Sequence, residues 1–357
     1  MAWQRSRGVQ LDARQQSASR QAISGRVDRM LAATRRLRDD PVRLARELAD
    51  DPLPDPDQVS RLPQQDSRMW QQAAMTFWQR QALQMGRLMR KRIPQAYRTH
   101  EVTWPLASVL RRQGYAQPAA TIYRRLMTLD TNDPIGRLAN GELWLMNPAD
   151  QNPPHLSYAT WAQTRPFLDG VLDDECWRDA REIVLTSTSS SANGPVAGVR
   201  TRDAYAFAQI ANDDQFLFVA ASFPRADGVP TDGPQCSGRK HDADLSGFDR
   251  VRIELDLDRD YTTAYRIEVD QRGHVSESCW DDAGWNPKLA VAVTGDATHW
   301  RLEMAIPFSE LTWRPPNRET AWAVSIVRTT PHVGWQSWVH PAGEESQPGS
   351  FGLIQFR

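Results

Sequence analysis

The sequence is short of the features that define several large protein classes. It contains no run of about 18 apolar residues, so no transmembrane helix is expected. Its first residues, Met1-Ala-Trp-Gln-Arg-Ser-Arg7, hold no apolar stretch of the kind a secretory signal carries, so no such signal is visible. Cysteine is scarce: Cys176, Cys236 and Cys279 are too few for a disulfide framework. They read either as three free thiols or as one Cys236–Cys279 pair in an exported protein. No G-x-S-x-G elbow, Cys/His arrangement or P-loop appears. His241, His274, His332 and His340 lack zinc spacing, and nothing identifies a His/Met pair for haem. Catalysis therefore has no sequence signature.

What is present is a chain of two characters. Residues 1–150 hold 24 Lys and Arg against 15 Asp and Glu, and the remainder holds 19 against 29, which hides inside a net charge of -1. A shift of that size marks a domain boundary near residue 150. Residues 1–20 are polar and without an apolar stripe, a disordered lead-in. Over 22–48, Ile23, Val27, Met30, Leu31 and Leu37 recur at helical spacing, and Pro52, Pro54, Pro56 and Pro63 then make a rigid connector. Residues 66–92 predict a longer helix. Residues 105–146 predict helix–turn–helix, the helical region as a whole being 21–146. Its arginines are spread among carboxylates along helix faces, so solvated faces are expected and nucleic acid is not.

Within that region, Leu110-Arg-Arg-Gln-Gly114-Tyr115-Ala116-Gln-Pro-Ala119-Ala120-Thr-Ile-Tyr123-Arg-Arg-Leu126 resembles the middle of a tetratricopeptide repeat. Gly114 suits the tight turn, Ala119 the close crossing, and Tyr123 and Leu126 the packing face. There is one such unit and no copy at a 34-residue period. It is either the end of a degenerate array or a helical hairpin that happens to match.

Asn147-Pro-Ala-Asp-Gln-Asn-Pro-Pro154 reads as linker, giving 147–165 as the connection to a domain over 166–357. There the apolar period changes from helical to two. Trp300, Leu302, Met304 and Ile306 alternate with Arg301, Glu303 and Ala305 until Pro307 ends the ladder. Strands are expected near 182–186, 203–210, 215–223, 249–257, 262–270, 288–294, 299–306, 321–328 and 351–356, with a long polar loop over 224–247. Short strands without intervening helices predict an antiparallel β-sandwich of two sheets, jelly-roll or immunoglobulin-like, behind an all-α region.

Five motifs in that domain resemble, in the same order, those of family 9 carbohydrate-binding modules, within the DOMON-like sandwiches. They are Leu168-Asp-Gly-Val-Leu-Asp-Asp-Glu-Cys-Trp177, Asn212-Asp-Asp-Gln-Phe-Leu-Phe-Val219, Asp249-Arg-Val-Arg-Ile-Glu-Leu-Asp256, Trp300 to Leu311, and Phe351-Gly-Leu-Ile354. The resemblance implies a sandwich that binds a polysaccharide or oligosaccharide without acting on it. In that family two tryptophans clamp a sugar. The second falls on Trp338 of Trp338-Val-His-Pro341, followed here by a longer insertion, whereas the first falls on Ser246.

Sugar rings present apolar faces to aromatic rings and hydroxyls to carboxylates and amides. Trp280, Trp285 and Trp335 join Trp338 as ligand-binding expectations, with Asp281, Asp282 and Asn286 as hydroxyl partners, whereas Trp177 and Trp300 are expected in the core. Asp256, Asp258 and Asp260 alternate as a calcium loop would, and the resemblance admits a structural calcium there. A structural or protein-interaction module, with a partner on the helical region, is the competing class, and a carbohydrate-active hydrolase the weaker one. The family implies an extracytoplasmic setting, which the absent signal opposes, and the compartment stays open.

Overall fold

A computed structural model describes residues 79–127, 133–148, 151–187, 205–226, 244–280, 282–312 and 314–357. The chain divides into two compact units, Met1–Pro94 and Gln95–Arg357. In the first, residues 79–92 are helical up to the residue before Pro94, where the α conformation is disfavoured. The lead-in over 1–20, the helix over 22–48 and the proline connector lie outside the described residues.

After a helical turn at Pro94–Tyr97, the second unit has three longer helices: α1 (His100–Arg112), α2 (Ala116–Met127) and α3 (Pro134–Met146). Gly114, with φ of +81°, makes the turn between α1 and α2. Its N–H and that of Tyr115 bond back to the carbonyls of Arg111 and Leu110, a closure that favours glycine. Asp133 caps α3 by accepting from the N–H of Ile135, and Pro134 stands where its missing donor does no harm. The expected hairpin is therefore formed. Its apolar face, with Trp104, Ala119, Tyr123 and Leu126, shares one cluster with Tyr261, Ala323 and Phe351 of the strand-rich region. Among the described residues the helices thus pack on sheet residues and build no stack of repeated pairs.

Thirteen strands follow. They are β1 (Leu156–Trp161), β2 (Ile183–Val184), β3 (Thr186–Ser187), β4 (Phe207–Asn212), β5 (Phe216–Pro224), β6 (Arg250–Asp256) and β7 (Tyr265–Asp270). After these come β8 (Val275–Cys279), β9 (Ala290–Gly295), β10 (His299–Pro307), β11 (Ala321–Thr330), β12 (Gly334–Ser337) and β13 (Gly352–Phe356). The first sheet runs β8-β7-β6-β11-β13-β1, with β12 also beside β11 and β3 beside β12; the second runs β1-β4-β5-β10-β9, with β2 beside β4.

Strand β1 belongs to both sheets. Leu156–Ala159 pair in parallel with Leu353–Phe356, and Thr160–Trp161 pair in parallel with Ala211–Asn212. This corrects two expectations. The sandwich is mixed rather than purely antiparallel, and the stretch 147–165 is not linker throughout. The prolines before Leu156 drew the linker reading, and a six-residue strand offers little pattern to oppose it. Strands β8 and β12 were also unexpected, because Val-Ser-Glu-Ser-Cys and Gly-Trp-Gln-Ser are short and polar.

The inner faces close one core. Trp300, Leu302, Met304 and Ile306 of β10 have no exposed surface and meet Val251, Ile253 and Leu255 of β6 and Val324 and Ile326 of β11. Each such aliphatic chain contributes about 1.5–3 kcal/mol by leaving water. Ala211, Phe218, Ala220 and Ala305 face the other way from the second sheet and are covered by residues 162–180, including the short helix Glu175–Asp179. The outer face of the first sheet is different, with charged side chains from β6 and β7 in place of an apolar row.

Candidate functional site

The polar residues of the matched motifs hold the scaffold. Glu303, with no exposed surface, accepts from the N–H of Asp169 at 3.1 Å, that of Gly170 at 2.8 Å and the Trp177 indole at 2.7 Å. Burial pushes its carboxyl above the usual range. Gly170 has φ of +81°, and a β-carbon there would lie 2.8 Å from the Thr294 nitrogen, so only glycine fits. Asp249 accepts from the Trp300 indole at 3.0 Å and pairs with Arg328. Asp213 closes the β4–β5 turn by accepting from the N–H groups of Gln215 and Phe216. Trp177 and Trp300 lie in the core as expected.

The four expected aromatic ligands fall into three settings. Trp335 of β12 is 42 % exposed and sits opposite Thr329. Thr329 in turn sits opposite Arg250, so the register places Trp335 on the outer face of the first sheet. Trp338, three residues on, alternates to the other side and packs half-buried against the core. A β-carbon on Gly352 would lie 2.7 Å from Trp338 Cζ3 and 2.8 Å from the His155 carbonyl oxygen, so the ring is seated against bare backbone. Trp280 is 63 % exposed in the turn after β8, whereas Trp285 packs against Tyr265 with ring centroids 4.8 Å apart.

These settings do not form one clamp. The register sets the Trp280–Trp285 loop at the Leu255 end of the sheet and Trp335 at the Arg250 end, separated by roughly 17 Å along the strands and roughly 19 Å across them. Asp282 spends its carboxylate on the Gly284 N–H, and the Asn286 amide donates to the Gly284 carbonyl. Asp281 lies outside the described residues. Ser246 is exposed on a loop beside Phe248, which lies beneath the Arg272 guanidinium at 3.3 Å. The Cys279 thiol is free and Cys236 lies outside the described residues.

Sequence reasoning missed the polar ladder between these loops. On the outer face, β6 presents Arg250, Arg252 and Glu254, and β7 presents Arg266 and Glu268, with Arg252 opposite Glu268 and Glu254 opposite Arg266. Ser276 and Ser278 extend the rows on β8, and Ser325, Val327 and Thr329 extend them on β11. Arg266 pairs with Glu254 at 3.2 Å, Arg250 with Glu268 at 3.3 Å, and Arg252 with Glu254 at 3.5 Å. The alternation Arg-Val-Arg-Ile-Glu in β6 and Arg-Ile-Glu in β7 was the available signal. It reads as a solvated face, yet Arg252 is 4 % exposed and Glu254 1 %.

The calcium expectation meets a loop that is already engaged. Asp256, Asp258 and Asp260 each place a carboxylate oxygen within 4.8 Å of the others. However, Asp256 accepts from the N–H groups of Asp258 and Tyr261, and Asp260 from those of Thr262 and Thr263. Arg112 pairs with Asp258, Arg111 donates to the Asp258 carbonyl, and Ser108 donates to the Arg259 carbonyl. Helix α1 thus engages the Asp258 carboxylate and the Asp258 and Arg259 carbonyls, and the loop's own N–H groups engage Asp256 and Asp260, which leaves an ion to compete with these contacts. Burial and the nearby Asp258 and Asp260 push Asp256 well above the usual carboxylate range. Behind this loop, Glu142 of α3 has no exposed surface and joins Arg111 to Arg259. Burial opposes its charge, but the two arginines hold its carboxyl below the usual range.

A shallow recess, open to solvent, lies where α3 meets β1 and β13, lined by Arg137, Gly141, His155, Tyr261 and Phe351. Burial, followed by Arg137 and His340, pushes His155 down to about 4. Among the described residues no helix is long and apolar enough to cross a membrane.

No family model matches the chain, and no curated protein matches it. Solved structures similar to it include a family 9 carbohydrate-binding module from Caldicellulosiruptor kristjanssonii in complex with cellotriose, at 15 % identity and a TM-score of 0.39, covering 57 % of this chain and 93 % of that one. The same module in complex with glucose gives 15 % and 0.39, covering 57 % and 95 %. A presumed carbohydrate-binding protein from Bacteroides uniformis gives 13 % and 0.36, covering 57 % and 98 %. At these identities the likeness is one of chain path.

Proposed function

We propose that the strand-rich region binds a carbohydrate without transforming it, on the outer face of the first sheet. The observation that carries this reading is Trp335, a large ring 42 % exposed within a strand and on the same face as the Arg–Glu ladder. The ring suits the apolar face of a sugar, and guanidinium and carboxylate groups held in fixed pairs suit its hydroxyls. Arg266 and Glu268 at the open side of the ladder are the hydroxyl partners. Trp280, with Asp282 and Asn286 on its loop, would serve a separate contact on an extended chain.

Glu254 and Glu268 are each paired with arginine, which holds both carboxylates in place as hydrogen-bond acceptors. The test is a binding scan over glucose, cellotriose, other soluble oligosaccharides and insoluble polysaccharides, with Trp335→Ala alongside. Wild-type binding that weakens about tenfold or more in the variant supports the reading. Binding to none of them, or equal binding by both proteins, overturns it.

A further inference from the structure

The ladder is covered in part by the chain itself. Residues 340–350 leave the sheet after Val339 and return at Phe351, and the segment is clasped at both base and tip by its backbone carbonyls. At the base, Arg137 Nη2 of α3 donates to the carbonyls of His340 at 2.8 Å and Gly349 at 2.9 Å, which brings the two ends together as in an Ω-loop. At the tip, Arg252 donates to the Gly343 carbonyl at 2.8 Å and to the Glu344 carbonyl. Residues 344–348 between these contacts are exposed.

The cover is an incomplete match for what it hides. Glu254 Oε2 and Arg252 Nε are buried and face each other at 3.5 Å, an ion pair without a hydrogen bond between them. A buried charge pair that lacks a hydrogen bond recovers little of its desolvation cost, and a segment whose middle is exposed can open locally while its base stays packed. We infer that residues 340–350 form a strap that closes over the Arg252–Glu254 pair and opens when Arg252 releases the Gly343 and Glu344 carbonyls. The Arg137 clip ties the strap's base to the helices. In that arrangement the helical layer governs access to the ladder; this last step rests on the carbohydrate reading, but the strap does not.

The test needs no sugar. Endoproteinase Glu-C is applied to the full chain, and cleavage after Glu344 and Glu345 is followed by mass. Wild type is cut slowly there. Arg252→Lys keeps the charge beside Glu254 but loses the two-carbonyl fork, and cutting at these sites rises about tenfold or more while the remaining sheet stays intact. Arg137→Lys, acting at the other end and away from Glu254, also accelerates it, so the inference does not depend on one variant's folding. Wild-type cutting as fast as that of a free peptide spanning 338–352 overturns the strap, as do unchanged rates in both variants. With any oligosaccharide that binds, Arg137→Lys is expected to associate severalfold faster, and an unchanged rate overturns the access role alone.

Discussion

The Trp300 indole donates to Asp249 Oδ2 at 3.0 Å, joining a residue of β10 in the second sheet to one at the head of β6 in the first. Arg328, 4 % exposed, pairs with the same carboxylate. Asp249→Asn leaves that guanidinium buried beside a neutral amide. A loss of about 3–5 kcal/mol is expected, measured as a lower urea midpoint at constant slope. An unchanged midpoint would count against the pair as a tie between sheets.

Glu142 plays the corresponding part for the helices. Glu142→Gln leaves Arg111 and Arg259 without their carboxylate at a site with no exposed surface. The helical layer is expected to loosen by about 3–5 kcal/mol. Trp104, whose ring stands 5.0 Å from that of Tyr261, reports it by fluorescence. A single melting transition at the wild-type temperature would contradict this.

His155 gives the protein an acid-sensitive limb. Its folded-state value of about 4 lies below the ordinary 6.5, so the unfolded chain takes up the proton first as pH falls. The stabilisation is complete above 6.5 and is lost as pH falls from there to about 4. The ring is half-buried, so roughly 1–2 kcal/mol is at stake after solvent screening. His155→Asn suits the left-handed backbone, φ of 59°, and should flatten that limb in urea midpoints taken across the range. Parallel curves for the two proteins would refute it.

Trp335 and Trp338 should separate binding from stability. Trp338→Ala opens a cavity beside Gly352 and is expected to cost about 2–4 kcal/mol. Trp335→Ala should stay within about 0.5 kcal/mol of wild type in stability. Chemical denaturation of both decides the point, and the reverse order would move the ring contact from Trp335 to Trp338.

Calcium should have little to hold. Added calcium or a chelator is expected to leave the melting temperature within about one degree, since a ligand stabilises only through a site that it occupies. A rise of several degrees would mean that Arg112 yields Asp258 to the ion.

The sequence made the fold more legible than the site for a physical reason. Glu303, Asp249 and Asp213 stand out in the motifs because buried polar groups must be hydrogen-bonded, and that need restricts residue type at fixed spacing. Such residues report how strands and turns are joined. Arg252 and Glu254 followed a plain outward alternation, and only the register with β7 and the fold of 340–350 bring them together under cover. Strand β1 escaped notice because parallel pairing to two distant strands leaves no local trace. Trp338 was picked by its place in a motif, where alternation within β12 would have turned it toward the core.

The parallel run of β1 with β13 has a mechanical consequence. Tension applied between a point just before Leu156 and a point just after Phe356 pulls these strands in opposite directions along their length. The hydrogen bonds linking Leu156–Ala159 to their partners are then loaded together rather than peeled one by one. Because β1 also pairs with β4, the same load is passed to the second sheet. A short strand therefore acts as a shear clamp, and the molecule should resist force along that line better than force that opens a hairpin from its turn.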